Sequence, residues 1–323
     1  MRSVLFITAL FFLARLSAQE LPPPAPVTSP LDTLPETMRV FRAQYDNDVF
    51  HATDRYYTFG LRGEMIAPAI WKIPLTRVLL SFGRSYDEAY GISLNQRCFT
   101  PGRSFSDTIQ HSDRPFAGHI YIGFKRISAS AEYRVRMTSE LDIGAVGPCA
   151  SCEESQKIFH TWINNEPPQG WENQLVNSFA FDYSTEAEKG IISNDFFELN
   201  GHLGLQAGTV HIRGNAGLMA RTGRMSDYFM RPAPADHFEC WVFVRSEVQG
   251  VAFNGTLQGP LFNKGNYHYI LSENVARTVF RTDGGLVLAY KMLQLEYRQT
   301  WLSREFSGGL PHGWGSVGFS CYF

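Results

Sequence analysis

Three segments of the chain carry residue types suited to acid–base or metal chemistry. The first is Asp46-Asn47-Asp48, followed by Thr53-Asp54 and Tyr57-Thr58-Phe59-Gly60. Two carboxylates and an amide in three residues are hard oxygen donors of the kind Ca2+ takes. The same residues also suit a polar strand end that turns. The second segment is Asn95-Gln96-Arg97-Cys98-Phe99-Thr100-Pro101, with Arg103 just beyond and Asp113-Arg114-Pro115-Phe116 after it. Arginines here would hold a phosphate, or pair with an aspartate at the rim of a sheet. The third holds Gly144 to Pro148, then Gln156 and His160, then Trp171-Glu172-Asn173-Gln174. Gln156 and His160 are four apart, so a helix would put them on one face. An imidazole there can take a proton from water, provided a neighbour fixes its tautomer. No G-x-S-x-G elbow and no H-E-x-x-H pair occurs, which removes the common serine-hydrolase and zincin readings.

The elements that must position these residues follow from the pattern of the chain. Arg2, the apolar run Val4–Leu13 and the small pair Ser17-Ala18 read as a signal peptide over residues 1–18. Residues 19–37 are proline-rich and read as an extended periplasmic lead-in. No later stretch is long and apolar enough for a membrane helix. The dominant period is two. Ile212, Gly214, Ala216 and Leu218 alternate with Arg213, Asn215, Gly217 and Met219, and Leu293, Leu295 and Tyr297 alternate with Gln294, Glu296 and Arg298. The chain ends on Phe323 within such a pattern, as bacterial outer-membrane barrels do. An apolar face in lipid with every backbone group paired requires a closed sheet. These features predict an all-β, single antiparallel transmembrane barrel over residues 38–323.

Twelve strands are expected near 38–46, 56–66, 86–99, 117–127, 132–147, 173–184, 196–207, 211–222, 239–254, 277–290, 292–302 and 314–323. A short helix is expected within Ser151–Trp162. With a periplasmic N-terminus the odd-to-even connections are extracellular, and the first three gather the three polar segments at one end. Charge is nearly balanced, with 29 basic and 31 acidic residues, so no basic stripe points to nucleic acid. There are five cysteines, and Cys149-x-x-Cys152 reads as a loop disulfide or two free thiols rather than a redox or zinc motif.

In order and spacing, Asn47-Asp48, Tyr57-Thr58-Phe59-Gly60, Phe99-Thr100-Pro101, Asp113-Arg114-Pro115-Phe116, Asp142 to Pro148, Gln156 with His160, and Trp171 with Gln174 resemble the outer-membrane lipid A 3′-O-deacylase family. Phe99 stands where that family has tyrosine, and Phe59 where it has a small or polar residue. The resemblance implies a 12-stranded barrel and a Ca2+-dependent esterase. Its substrate would be lipid A of lipopolysaccharide, taken among outer-membrane lipids, and the enzyme would act as a monomer. His160 would be the general base, oriented by Gln156. Asn47, Asp48 and Asp46 would place the Ca2+ and the ester, Thr58 would line the site, and Arg97, Arg103 and Arg114 would meet lipid phosphate. The alternatives are a non-catalytic barrel, such as a channel or structural protein, and a phospholipase-type esterase with a serine nucleophile, for which Ser151 and Ser155 are the candidates in the helical loop.

Overall fold

The computed structural model describes residues 39–323, apart from 52, 54, 84, 85, 103–107, 163, 165, 167, 231–233 and 263–267. The expected signal peptide and lead-in, Asp54 and Arg103 therefore lie outside the described residues. Twelve strands form one closed antiparallel barrel. They are β1 (Val40–Asn47), β2 (Tyr56–Ile66), β3 (Asp87–Thr100), β4 (Ala117–Ser130), β5 (Val135–Val146) and β6 (Ser178–Ser193). The second half is β7 (Phe197–Gly208), β8 (His211–Arg224), β9 (Ala235–Asn254), β10 (Thr278–Lys291), β11 (Leu293–Leu302) and β12 (His312–Tyr322). Each strand pairs with its neighbour in sequence. β1 closes the ring on β12, from Val40 opposite Tyr322 to Asn47 opposite Gly315. No described helix is long and apolar enough to cross a membrane.

The period-two pattern sorts side chains as expected. Phe41, Leu61, Leu94, Ile122, Leu205, Leu218, Leu295 and Phe319 are exposed on the outside. A water-soluble protein does not display so continuous an apolar band, whereas a lipid-facing barrel must. The alternate residues fill the lumen with charge. Arg62 pairs with Glu64 and Glu140, both at 3.0 Å, and Lys125 binds Glu64 as well. Arg245 pairs with Glu186 at 2.6 Å and Glu247 at 3.2 Å, and Arg281 with Asp283 at 2.9 Å.

Most strands fall within about four residues of their expected bounds, and one departs further. The segment foreseen at 173–184 runs instead as β6 over Ser178–Ser193, because a 3-10 turn occupies Trp171–Asn173. Its charged stretch Glu186–Lys189 looks like a turn in sequence. In the barrel, Glu186 and Glu188 point inward to Arg245 and Arg136. The long connection between β8 and β9 is also shorter than its sequence suggests. Its Phe229 is fully buried, and Tyr228 donates to Glu188 at 2.6 Å, so this turn folds back over the lumen mouth.

Glu64 is 4% exposed and is shared by Arg42, Arg62 and Lys125. Glu64→Gln leaves these cations short of a counter-charge and should destabilise the barrel by about 3 kcal/mol. The urea midpoint of the detergent-solubilised protein, read by loss of heat-modifiable mobility, reports it. An unchanged midpoint would show that the lumenal ion pairs contribute nothing net.

Candidate active site

The connections at one end of the barrel are the β1–β2, β3–β4, β5–β6, β9–β10 and β11–β12 loops together with the short β7–β8 turn. The β5–β6 loop carries the only helix of more than five residues among the described ones, Cys152–Trp162. An isolated helix of 11 residues is marginal in water. Here three devices hold it against the outer wall. Glu153 and Glu154 lie in its first turn, where acidic side chains favour the helix dipole. Cys152 forms a disulfide with Cys98 of β3, 54 residues away. Gln96, on the same outward face of β3, donates to the Ala150 carbonyl at 2.6 Å and exchanges hydrogen bonds with Ser155 Oγ. Beneath lies a buried cluster of Phe59, Cys98, Phe116, Ala150, Cys152 and Trp171. Gly118 of β4 permits the contact. A Cβ there would lie 2.8 Å from Ala150 Cβ and 3.2 Å from Cys152 Sγ.

The C-x-x-C reading is corrected by this arrangement. Cys152 pairs with Cys98, and Cys149 is an exposed free thiol. The helix phase explains it: Cys152, Gln156 and His160 are the three buried residues of the helix, four apart, and all face the wall. Cys149 lies ahead of the helix in a 3-10 turn and points away.

On the wall, a β-bulge rearranges the alternation of β2. Tyr57 pairs with Phe99 and Phe59 with Cys98, leaving Thr58 as the extra residue. Tyr57 points inward, donating to Asp46 Oδ2 at 2.8 Å. Phe59 faces outward to Tyr45 and Phe159, at ring distances of 5.7 and 6.5 Å. Thr58 meets the helix: Gln156 Nε2 donates to its Oγ at 2.7 Å. The indole N–H of Trp171 donates to Gln156 Oε1 at 3.0 Å. That bond fixes which end of the amide faces Thr58, so the threonine oxygen must accept. Among the described residues its own proton is held only by the Cys98 carbonyl at 3.5 Å, a weak contact. The result is a directed chain from Trp171 through Gln156 to a hydroxyl with a proton to give.

His160 is 6% exposed and sits one turn further along the same face. Its Nδ1 donates to the Glu166 carbonyl at 2.5 Å. This leaves Nε2 as the basic nitrogen. The imidazole is thus oriented by the chain following its own helix, whereas Gln156, expected to orient it, serves Thr58.

The remaining expected residues separate. Strand alternation sends Asp46 into the lumen, where Gln44 and Tyr57 bind its two oxygens at 2.7 and 2.8 Å. Asn47 takes the opposite face, level with Phe59 in the pairing of β1 with β2. Its Oδ1 accepts the Val49 N–H at 2.8 Å, and the buried Asp48 accepts the Arg55 N–H at 2.7 Å. Asp46 therefore leaves the expected metal set. Asp48 and Asn47 remain as one carboxylate and one amide beside Thr58. Their hard oxygens fit Ca2+ with carbonyls, water or substrate completing its shell. A tighter three-residue acid–histidine cluster, Glu186, His202 and Glu247, lies in the lumen. Arg97 also points into the lumen. Arg114 is buried between Glu305 at 3.2 Å and Thr256 at 3.0 Å, stacked on Phe99. It braces the loops at the rim, so neither arginine meets the His160 face.

Peptide mapping under non-reducing conditions, after alkylation, should find Cys98 linked to Cys152 and Cys149 alkylated. A Cys149–Cys152 peptide would contradict the clamp.

The chain is similar to the solved structure of LpxR from Salmonella typhimurium, with a TM-score of 0.70 and 18% identity over 88% of this chain and 100% of that one. More distant are the β domain of the Bordetella autotransporter BrkA (TM-score 0.43, 9% identity, 88% and 98% coverage) and the translocator domain of NalP from Neisseria meningitidis (0.40, 12%, 99% and 98%). Among curated protein sequences none matches the chain. A family model described as outer membrane protein LpxR matches residues 5–323. With that match across nearly its whole length, on a closed 12-stranded barrel, the chain belongs to the LpxR family of integral outer-membrane proteins.

Proposed function

We propose that this protein is a lipid A deacylase, hydrolysing the 3′-linked acyloxyacyl ester of lipid A from the outer leaflet, with Ca2+ as cofactor. The observation that carries the proposal is the place of the polar constellation. His160, Gln156 and Thr58 meet on the outside of the barrel wall, between β2 and the loop helix. A substrate for that cleft arrives from the surrounding membrane and not through the lumen. Ile158 and Trp162, on the helix's other side, are 72% and 81% exposed, giving an apolar edge for acyl chains. Family membership supports lipid A as the lipid.

The chemistry follows from the fixed donors. His160 Nε2 accepts a proton from water as the water oxygen attacks the ester carbonyl. The carbonyl oxygen becomes an oxyanion, toward which Thr58 can turn its loosely held proton. Collapse breaks the carbon–oxygen bond to the sugar, and the imidazolium returns its proton to the departing alkoxide. The products are a free acid and an alcohol. Asp48 and Asn47 would hold the Ca2+, whose contribution when bound is to polarise the ester carbonyl. The serine-nucleophile alternative finds no support at Ser155, whose hydroxyl is paired with Gln96.

Mass spectrometry of lipid A from cells expressing the protein tests the proposal. The mass of one acyloxyacyl group should be lost, and chelation or His160→Ala should prevent the loss. Unchanged lipid A in every sample would overturn it. Kinetics test the relay: Thr58→Val should lower kcat by about 100-fold. Trp171→Phe, which keeps the packing but releases the Gln156 amide, should lower kcat more than it raises KM. Equal effects on both would assign Trp171 to binding alone.

A further inference from the structure

The lumen carries a second feature, which does not depend on the catalytic reading. Its charges are extensively paired, as the contacts of Glu64, Glu140, Glu186, Glu247 and Asp283 show. Two guanidinium groups depart from that pattern. Arg97 of β3 and Arg213 of β8 line one chamber of about 360 Å3 in the part of the lumen nearest the loops that carry the site. Arg97 stacks on the Tyr121 ring, 5.3 Å from its centroid. Among the described residues its guanidinium donates no hydrogen bond to protein and joins no ion pair. Arg213 gives its Nε to Gln206 at 2.8 Å and likewise has no ion-pair partner there.

The carboxylates of that chamber do not answer them. Asp46 is occupied by Gln44 and Tyr57. Glu305 is taken by Arg114 at 3.2 Å and Asn254 at 3.4 Å. Asp182, outside the chamber's lining, is engaged by His211 Nδ1 at 2.7 Å, by two backbone N–H groups and by Gln206. Asp142 lines the adjoining cavity with Arg97 but forms no ion pair with it. Arg62, Lys125, Arg281 and Arg298 also line the chamber, each paired with a carboxylate beyond it, and the lining itself holds more cationic than anionic side chains.

Two like-charged forks facing one space, with the Arg97 donors and the terminal N–H groups of Arg213 unpaired by the described residues, favour an oxyanion between them. A planar guanidinium binds two oxygens of a phosphate at once, and two such groups hold it from two sides. We propose that Arg97 and Arg213 form a phosphate-binding site inside the barrel, reached from the loop end and separated by the β1–β3 wall from His160. The phosphate would belong either to a small solute or to a sugar head group bending over the rim; the volume admits both.

Calorimetric titration of the full-length protein in detergent tests this, with inorganic phosphate as the first probe and glucosamine 1-phosphate as the second. Sodium chloride at matched ionic strength is the control. Saturable binding of phosphate is expected, weakened at least about tenfold in Arg97→Gln and in Arg213→Gln, since each removes charge-assisted hydrogen bonds. Heat-modifiable mobility verifies that both variants remain folded. Binding of the phosphosugar alone, lost in the same variants, would support the site and assign its phosphate to a sugar head group. No binding beyond the chloride control, or equal binding by wild type and both variants, would overturn the proposal.

Discussion

Every backbone N–H and C=O within a bilayer must find a partner in the protein. That single requirement closes β1 on β12 and makes a barrel of this chain. Closure then divides the side chains between two environments, with lipid outside and a charged lumen inside. Everything chemical about the molecule follows from that division. Asp46 and Asn47 are neighbours in sequence, but they lie on opposite sides of one wall. The same rule separates Arg97 in the lumen from Gln96 and Cys98, which support the helix outside. The bulge at Thr58 locally suspends the alternation and brings Thr58 and Phe59 together toward the helix. A regular strand could place only one of them there.

The outer wall alone is a poor place for polar groups. It becomes a cleft because the β5–β6 loop lays a helix on it. The disulfide, the Gln96 contacts and the close approach at Gly118 all act at the start of that helix. Trp171 and the Glu166 carbonyl act beyond its far end, one on Gln156 and the other on His160. The two polar side chains are therefore clamped from both directions. Such preorganisation matters most for groups that must meet developing charge.

Much of this was legible in the sequence, and the rest was not for identifiable reasons. Strict alternation, as in Ile212 to Leu218, revealed the barrel and its strand count, because lipid leaves little tolerance for a misplaced face. Gln156 and His160 were legible as one helical face by their spacing. The end of β6 was misplaced because its lumenal glutamates resemble turn residues, and its start because a 3-10 turn occupies Trp171–Asn173. The Cys98–Cys152 pair could not be found from spacing, since barrel register and helix phase jointly determine it. The bulge left no mark in residue type. The ligand of His160 Nδ1 is a backbone carbonyl, which any residue at position 166 would supply.

The central claim is that substrate is taken from the membrane at the outer wall and not through the lumen. Photocrosslinking tests it most directly. A photoreactive aromatic residue is placed at Trp162, on the exposed edge of the helix, or at Gln206, in the lumen, in cells with intact outer membranes. The account predicts a lipopolysaccharide adduct through the acyl chains from position 162 and no acyl-chain adduct from position 206. Acyl-chain adducts from 206 alone would mean that lipid enters the barrel, and would contradict an active site between wall and helix.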